Sequence, residues 1–338
     1  MARKSRYPYL LLVTLSSALF LVLAVWRIDW HRVYVSFQSA HWYPWLPLGI
    51  AAYLTGQLVR GVRLKVLVSS DANLSVIGAS NIVIVGYAVN NILPARLGEF
   101  VRAKVLSDRT RQSYVGSLAI TLVERLMDGL AILFILCVAG RAMVGRGFIG
   151  YVAAIAGSVL GGALIFVTLT AMRPELLLSM VSFVTQRLDR KTHALAVRTV
   201  MQVIAGVGSL GSPRKSALVF LLSLVVWSFE SGLYWFMLPC FNLPWRVTTA
   251  AITMSLTNLA LLIPSSPGFV GTFHYFCMQS LQVFGVEPAL ALSYAVVAHL
   301  AFYVPVTIWG LTVLTAYGVD LAKAGDLAVE ARSNVELQ

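Results

Sequence analysis

The chain has 338 residues, 58% of them hydrophobic and only 12% charged, with a mean hydropathy of +0.79 and a formal net charge of +12. A soluble domain carries about 25% charged residues, so this apolar excess requires lipid as the solvent for much of the chain and excludes an ordinary water-soluble domain. The basic residues cluster between apolar spans, which points to membrane orientation and anionic headgroups and excludes nucleic acid as a partner.

Taken in chain order, a basic N-terminus with Arg3, Lys4 and Arg6 precedes a first apolar run over 8–26. The run is long and no small-residue cleavage site follows it, so it reads as a retained span. Trp26, Trp30, Trp42, Tyr43 and Trp45 form an aromatic belt around the first outer loop. A second span covers 45–66. A shorter apolar segment, 76–93, ends at Pro94, and a second short helix continues to about 106. Spans over 114–139 and 148–172 follow. The polar stretch Glu175–Leu210 places Leu177, Val181, Val184 and Leu188 on one helical face beside Arg187, Arg190 and Lys191, as in an amphipathic helix on the inner surface within a linker over 175–213. Then come a span over 216–239, a second broken segment over 247–263 continued to about 284, a last span over 288–317, and a polar tail over 323–338.

These segments predict an all-α polytopic membrane protein. It has about six transmembrane helices and two re-entrant helical hairpins in a single integral domain over 1–322. If the hairpins return to their side of origin, Lys and Arg favour one side by roughly four to one, with Arg60, Arg63, Lys65, Arg96 and Arg102 counted there. That bias predicts cytoplasmic N- and C-termini in a cell inner membrane.

The two broken segments resemble each other. Leu93-Pro94-Ala95-Arg96-Leu97-Gly98 and Ile263-Pro264-Ser265-Ser266-Pro267-Gly268 share an aliphatic residue, Pro, three residues and Gly. The first is preceded by Asn90 and Asn91, the second by Asn258, and each lies between two spans. The units, about 45–139 and 216–317, are predicted to be inverted repeats, because one extra span separates them. Paired Pro/Gly-interrupted segments in two halves point to a transporter's substrate site. Broken helices expose backbone donors and partial positive charge that can receive an anionic group such as phosphate.

Span 114–139 carries Glu124, Arg125 and Asp128, and intramembrane ionisable residues usually face a bundle interior or a cavity. Two acids and one base leave a local charge that Arg96 or Arg102 of the first hairpin is placed to compensate; a purely structural ion cluster is the alternative. Glu230 lies in mid-span without an evident partner, and His274 and His299 are apolar-helix histidines of the kind usually found as satisfied core residues. Cys137, Cys240 and Cys277 are far apart, so neither a metal site nor a disulfide framework nor any cofactor is signalled. There is no nucleotide-binding loop and no hydrolase motif.

Asn90–Glu99 with Arg102, then Glu124, Arg125 and Asp128, then Ile263 through Phe273 resemble the lysylphosphatidylglycerol synthase transmembrane region, or flippase-like domain family, over about residues 10–317. The resemblance implies a domain that translocates a lipid whose headgroup a separate soluble domain makes in the bifunctional members; stand-alone relatives are associated with other lipids, including hopanoids and polyprenyl-linked sugars. No such soluble domain is expected here, and aminoacyl transfer is not implied. The second motif has His274 where an acidic residue is common in the family. The expected function is therefore a lipid translocase rather than an enzyme, with membrane lipids as partners; a homo-oligomer is compatible with it. Asn90, Asn91, Pro94, Arg96, Gly98, Glu99, Arg102, Glu124, Arg125, Asp128 and Glu230 would contact or gate the headgroup on the inner side, and Pro264, Ser265, Ser266, Gly268 and Gly271 on the outer. Alternatives are an ion-coupled transporter of a small solute, an enzyme acting on lipid-linked groups with Glu124 and Asp128 as acid and base, and a non-transporting partner subunit.

Overall fold

The computed structural model describes residues 6–68, 73–93, 97–110, 112–140, 173–186, 190–210, 212–263 and 265–317, with scattered positions between 151 and 165. Among these residues the chain is helical and has no strand. In order, the helices are α1 (Arg6–Val25), α2 (Trp30–Gln38), α3 (Trp45–Leu67), α4 (Val76–Ile92), α5 (Gly98–Thr110), α6 (Tyr114–Ala139), α7 (Pro174–Thr185), α8 (Arg190–Val207), α9 (Pro213–Cys240), α10 (Val247–Ala260), α11 (Thr272–Gln282) and α12 (Pro288–Ala316). The expected span over 148–172 falls largely outside the described residues, and the tail over 323–338 entirely so.

Local chemistry sets the helix starts. Ser75, Ser113 and Ser212 precede α4, α6 and α9, and each hydroxyl accepts a backbone N–H three residues on, from Gly78, Gly116 and Lys215 at 3.0, 3.0 and 3.2 Å. Pro213 and Pro288 occupy first-turn positions, where the missing N–H costs nothing. The four long helices α3, α6, α9 and α12 have 23, 26, 28 and 29 residues. At about 1.5 Å per residue each exceeds the roughly 30 Å of a bilayer's hydrocarbon core. The paired pieces α4–α5 and α10–α11 have 17 and 13, and 14 and 11, residues, each too short alone. Among the described residues α9 and α12 are long and apolar enough to cross a membrane by composition. Helices α3 and α6 are long enough, but each carries three charges: Arg60, Arg63 and Lys65, and Glu124, Arg125 and Asp128.

Helices α3 and α9 form the most extensive pairing in the molecule. Their closest approach is at glycines. A Cβ on Gly56 would lie 3.2 Å from Phe229 Cβ, and one on Gly232 would lie 3.2 Å from Ala52 Cβ. Without a hydrophobic drive between helices in lipid, such close backbone approach supplies the dispersion contact that joins them. Helix α4 lies between α3 and α12, with Gly310 of α12 set directly against Ala88. Helix α5 folds back on α4, Gly98 lying against the Gly86 carbonyl. Helices α10 and α11 pair in the same way, and α1 covers α11 through Phe20, whose ring lies 5.5 and 5.2 Å from those of Tyr275 and Phe276.

Two regions differ from expectation. The first outer loop contains a capped helix, α2, begun by Asp29, which accepts from the N–H groups of His31 and Arg32 and fixes a turn that aromatic composition alone does not reveal. In the linker, the apolar face turned outward on α7 is Leu176, Met180, Phe183 and Val184, whereas Leu177 and Val181 are half-buried. Helix α8 packs on both α7 and α6. Leu188 lies outside the described residues.

Candidate functional site

The first break is held by its two asparagines. Asn90 Oδ1 accepts the Gly98 N–H at 2.8 Å, so a side chain of α4 satisfies an orphan donor at the start of α5. Its Nδ2 reaches Glu99 Oε1 at 3.5 Å. Asn91 Nδ2 donates to Thr307 Oγ1 at 2.8 Å, and its carbonyl accepts from Tyr303 Oη at 3.2 Å, both from α12. Pro94 and Arg96 lie outside the described residues.

The second break is a turn rather than a simple kink. A 3-10 turn over Pro267–Phe269 contains Gly268 at φ +66° and Phe269 at φ +60°, and Gly271 follows at φ +87°. Positive φ is uncommon for a bulky residue such as Phe269 and needs its surroundings to hold it. His299 Nε2 hydrogen-bonds the Gly268 carbonyl at 2.8 Å, and the Gly271 N–H donates to His274 Nδ1 at 3.3 Å. Both histidines are thus satisfied buried groups that fix the turn, as their apolar setting suggests. Ser266 N–H donates to Ser17 Oγ of α1 at 2.6 Å, while its hydroxyl donates to the Val270 carbonyl at 3.2 Å. Ser265 is buried, and Pro264 lies outside the described residues.

The two breaks meet. A Cβ on Gly268 would lie 2.7 Å from the Tyr303 ring and 3.4 Å from the Asn91 carbonyl, the group that Tyr303 Oη already holds. Tyr303 is therefore wedged between the two.

Beside this junction lies a buried charge cluster. Asp128 accepts from Arg60 at 3.0 Å, from Arg63 Nη2 at 3.2 Å with a closer contact to Nη1, and from Trp227 Nε1 at 2.9 Å. Glu124 pairs with Arg63 at 3.4 Å and, more closely, with Arg102. Arg63 also donates to Ser223 Oγ at 2.7 Å. Glu230 pairs with Arg60 at 3.0 Å. Arg125 pairs with Glu99 at 2.9 Å, donates to Tyr87 Oη at 3.1 Å and lies 3.7 Å from Asp128. Arg60 also stacks over Trp227, 4.8 Å from the ring centroid. Four guanidinium groups thus face four carboxylates among the described residues. Burying unpaired charge is costly, so neutrality and dense hydrogen bonding are what permit the cluster inside an apolar bundle.

Three expectations change here. Glu230 is not alone but shares Arg60. The cations that compensate Glu124 and Asp128 come chiefly from α3; Arg102 joins as anticipated, and Arg96 lies outside the described residues. Arg60, Arg63 and Arg102 are buried at 2% exposure or less, in ion pairs within the bundle rather than in solvent-facing loops. Arg60 and Arg63 were the residues sequence reasoning missed as site candidates. The signal was present in their i,i+3 spacing on the face of α3 that also carries Gln57, within the last two helical turns of the span.

A cavity of about 380 Å3 adjoins the cluster. Arg60, Glu99, Arg125, Asp128 and Glu230 line its charged end with Asn90, Asn91, Tyr53 and Tyr87. Asn258, Leu261, Leu262 and Phe269 bring the second break to it, and Phe302 and Val306 of α12 complete an apolar wall. Arg102 and Glu124 stand behind the charged end, and Gly98, Ser265, Ser266, Gly268 and Gly271 do not line it. Leu122 and Leu262, which do, are 61% and 53% exposed, so the wall runs out sideways to the molecule's apolar surface. Arg125 is the most accessible cation of the cluster, its side chain 33% exposed.

Long apolar helices wrapped around a neutralised charge cluster define an integral helical membrane protein with a polar interior chamber. Residues 9–310 match the family described as the lysylphosphatidylglycerol synthase TM region. The chain belongs to that family. No curated protein and no solved structure matches it.

Proposed function

We propose that the protein moves a polar-headed lipid, a phospholipid in the first instance, across the membrane by passing the headgroup through this chamber while the acyl chains stay in the bilayer. The observation that carries the reading is the sideways run of the cavity wall from Arg125 and Glu230 to exposed Leu122 and Leu262. A small soluble solute would be served by a chamber sealed from lipid, whereas a lipid requires an apolar flank open to the bilayer. Arg125 would receive the phosphate, because a guanidinium can contact two phosphate oxygens at once. Family membership supports a role with membrane lipids. In this reading α4–α5 and α10–α11 are re-entrant hairpins of two inverted repeats, dipping from opposite leaflets of a cell inner membrane, with both termini cytoplasmic. Helices too short to cross alone, and tips that meet at Tyr303, support it. An enzyme using Glu124 and Asp128 as acid and base is disfavoured, since each is held by two guanidinium groups.

The test is headgroup translocation in proteoliposomes with fluorescent phospholipids and a membrane-impermeant quencher. Wild type should expose the inner-leaflet pool to quencher. Arg125→Ala should not, while remaining monodisperse. Folded wild type that moves none of several headgroup classes would remove the proposal.

A further inference from the structure

The charge cluster contains one carboxylate held differently from the rest. Asp128 is held by Arg60, Arg63 and Trp227, Glu124 by Arg63 and Arg102, and Glu99 by Arg125 through two nitrogens with Asn90 alongside. Glu230 has a single partner among the described residues, Arg60 Nη2 at 3.0 Å. It stands on the cavity wall with its side chain 12% exposed, against 5% for Asp128 and 1% for Glu124; Glu99 also lines the cavity and is 21% exposed, but two nitrogens of Arg125 hold it. The groups facing it are Arg60 and Tyr53 from α3, Asp128 and Arg125 from α6, and Tyr234 one turn on in α9, which is itself hydrogen-bonded by Asn258 of α10. Phe302 of α12 and Tyr87 of α4 share the same cavity.

The cluster as it stands is neutral among the described residues, and every guanidinium in it already has a carboxylate. An anionic headgroup entering such a site adds a negative charge to a low-dielectric interior, where net charge is strongly disfavoured. Either the anion does not bind or a positive charge must appear. Releasing a cation from a carboxylate does not alter the sum; taking up a proton does.

Resting on the headgroup reading of the cavity, we infer that Glu230 is a proton-binding site coupled to the lipid, so that an anionic headgroup and a proton enter the chamber together. The proton adds to a Glu230 carboxylate oxygen. The ion pair with Arg60 Nη2 is lost, and that N–H turns to a phosphate oxygen of the headgroup. Asp128 stays on Arg60 Nη1 and on Arg63, so the remainder of the cluster keeps its form. The charge of the site is the same before and after, and the proton leaves when the headgroup does. Under this coupling a proton gradient biases the direction of lipid movement without any nucleotide.

The test is calorimetric titration of the purified full chain in neutral detergent with short-chain phosphatidylglycerol, in Tris and in HEPES. The dependence of the measured enthalpy on buffer ionisation gives the protons taken up. Wild type should take up about one proton per bound anion, and its affinity should fall by up to tenfold per pH unit above neutrality. Glu230→Gln should bind without proton uptake and without that pH dependence. Anion binding by wild type with no proton uptake overturns the proposal while leaving lipid translocation standing, and needs no variant. Proton uptake that survives in Glu230→Gln assigns the site elsewhere and overturns it too. If no lipid binds and none is translocated, the headgroup reading itself fails, and the coupling with it.

Discussion

Asp128→Ala is the sharpest perturbation of the charge cluster. Asp128 accepts hydrogen bonds from Arg60, Arg63 and Trp227, and its side chain is 5% exposed. Its removal leaves Arg60 with Glu230 alone, and Arg63 with Glu124 at 3.4 Å and Ser223. Deleting one partner of a buried ion pair costs about 3–5 kcal/mol. The orphaned Trp227 N–H adds about 1–3 kcal/mol. A total of about 4–8 kcal/mol is a large share of the 5–15 kcal/mol that typically stabilises a folded chain, and corresponds to a fall in Tm on the order of ten degrees or more. The assay is thermal loss of the monodisperse peak in detergent, with Leu122→Ala, at a 61% exposed position, as the reference for a change that touches no such network. If Asp128→Ala melted within a couple of degrees of wild type, the cluster would not be a tightly paired buried network, and the argument from its neutrality would fall.

Two further outcomes follow from the breaks. Gly98→Val should disrupt the first hairpin, because even a Cβ at this position is pressed against the Gly86 carbonyl and the Asn90 amide; low yield and an early melt in the same assay are expected, with Gly162→Ala, near which no described residue lies, unaffected. Tyr303→Phe keeps the ring against Gly268 but loses the hydroxyl on the Asn91 carbonyl, which should cost about 1 kcal/mol. If Tyr303→Phe were as damaging as Asp128→Ala, the hydroxyl would have a role beyond joining the breaks, and translocation rates measured on both would show it.

Much of the helix pattern was legible because long apolar runs and prolines leave little freedom. The spans expected over 45–66, 114–139, 216–239 and 288–317 match α3, α6, α9 and α12 to within a few residues, and the breaks fall where Pro94 and Pro264 stand in the sequence. What stayed hidden was which charges face inward. Arg60 and Arg63 lie near the end of a span, where snorkelling to the interface is the ordinary reading for a long basic side chain. Only the partner acids on α6, distant in sequence, decide that they turn inward. Asn258 shows the same limit in reverse. The second break's serines looked like the polar element, yet its contribution to the chamber is Asn258 with Leu261, Leu262 and Phe269. In a turn with two glycines at positive φ, the Ser266 hydroxyl goes to the Val270 carbonyl and the Ser266 N–H to Ser17 of α1, and neither serine lines the cavity.

The glycine seam between α3 and α9 has a consequence for motion. Where the two helices approach this closely at Gly56 and Gly232, little side-chain volume separates them, so the pair moves as one bar. That bar carries Arg60 and Arg63 on one member and Ser223, Trp227 and Glu230 on the other. The Arg60–Glu230 contact is therefore internal to the bar, so protonation of Glu230 undoes it without any movement of the hairpins. The Arg102–Glu124 and Arg125–Glu99 contacts instead run from α6 to α5, and hold the first hairpin to its neighbour as latches. A chamber that opened and closed would do so by undoing latches against a bar that does not bend.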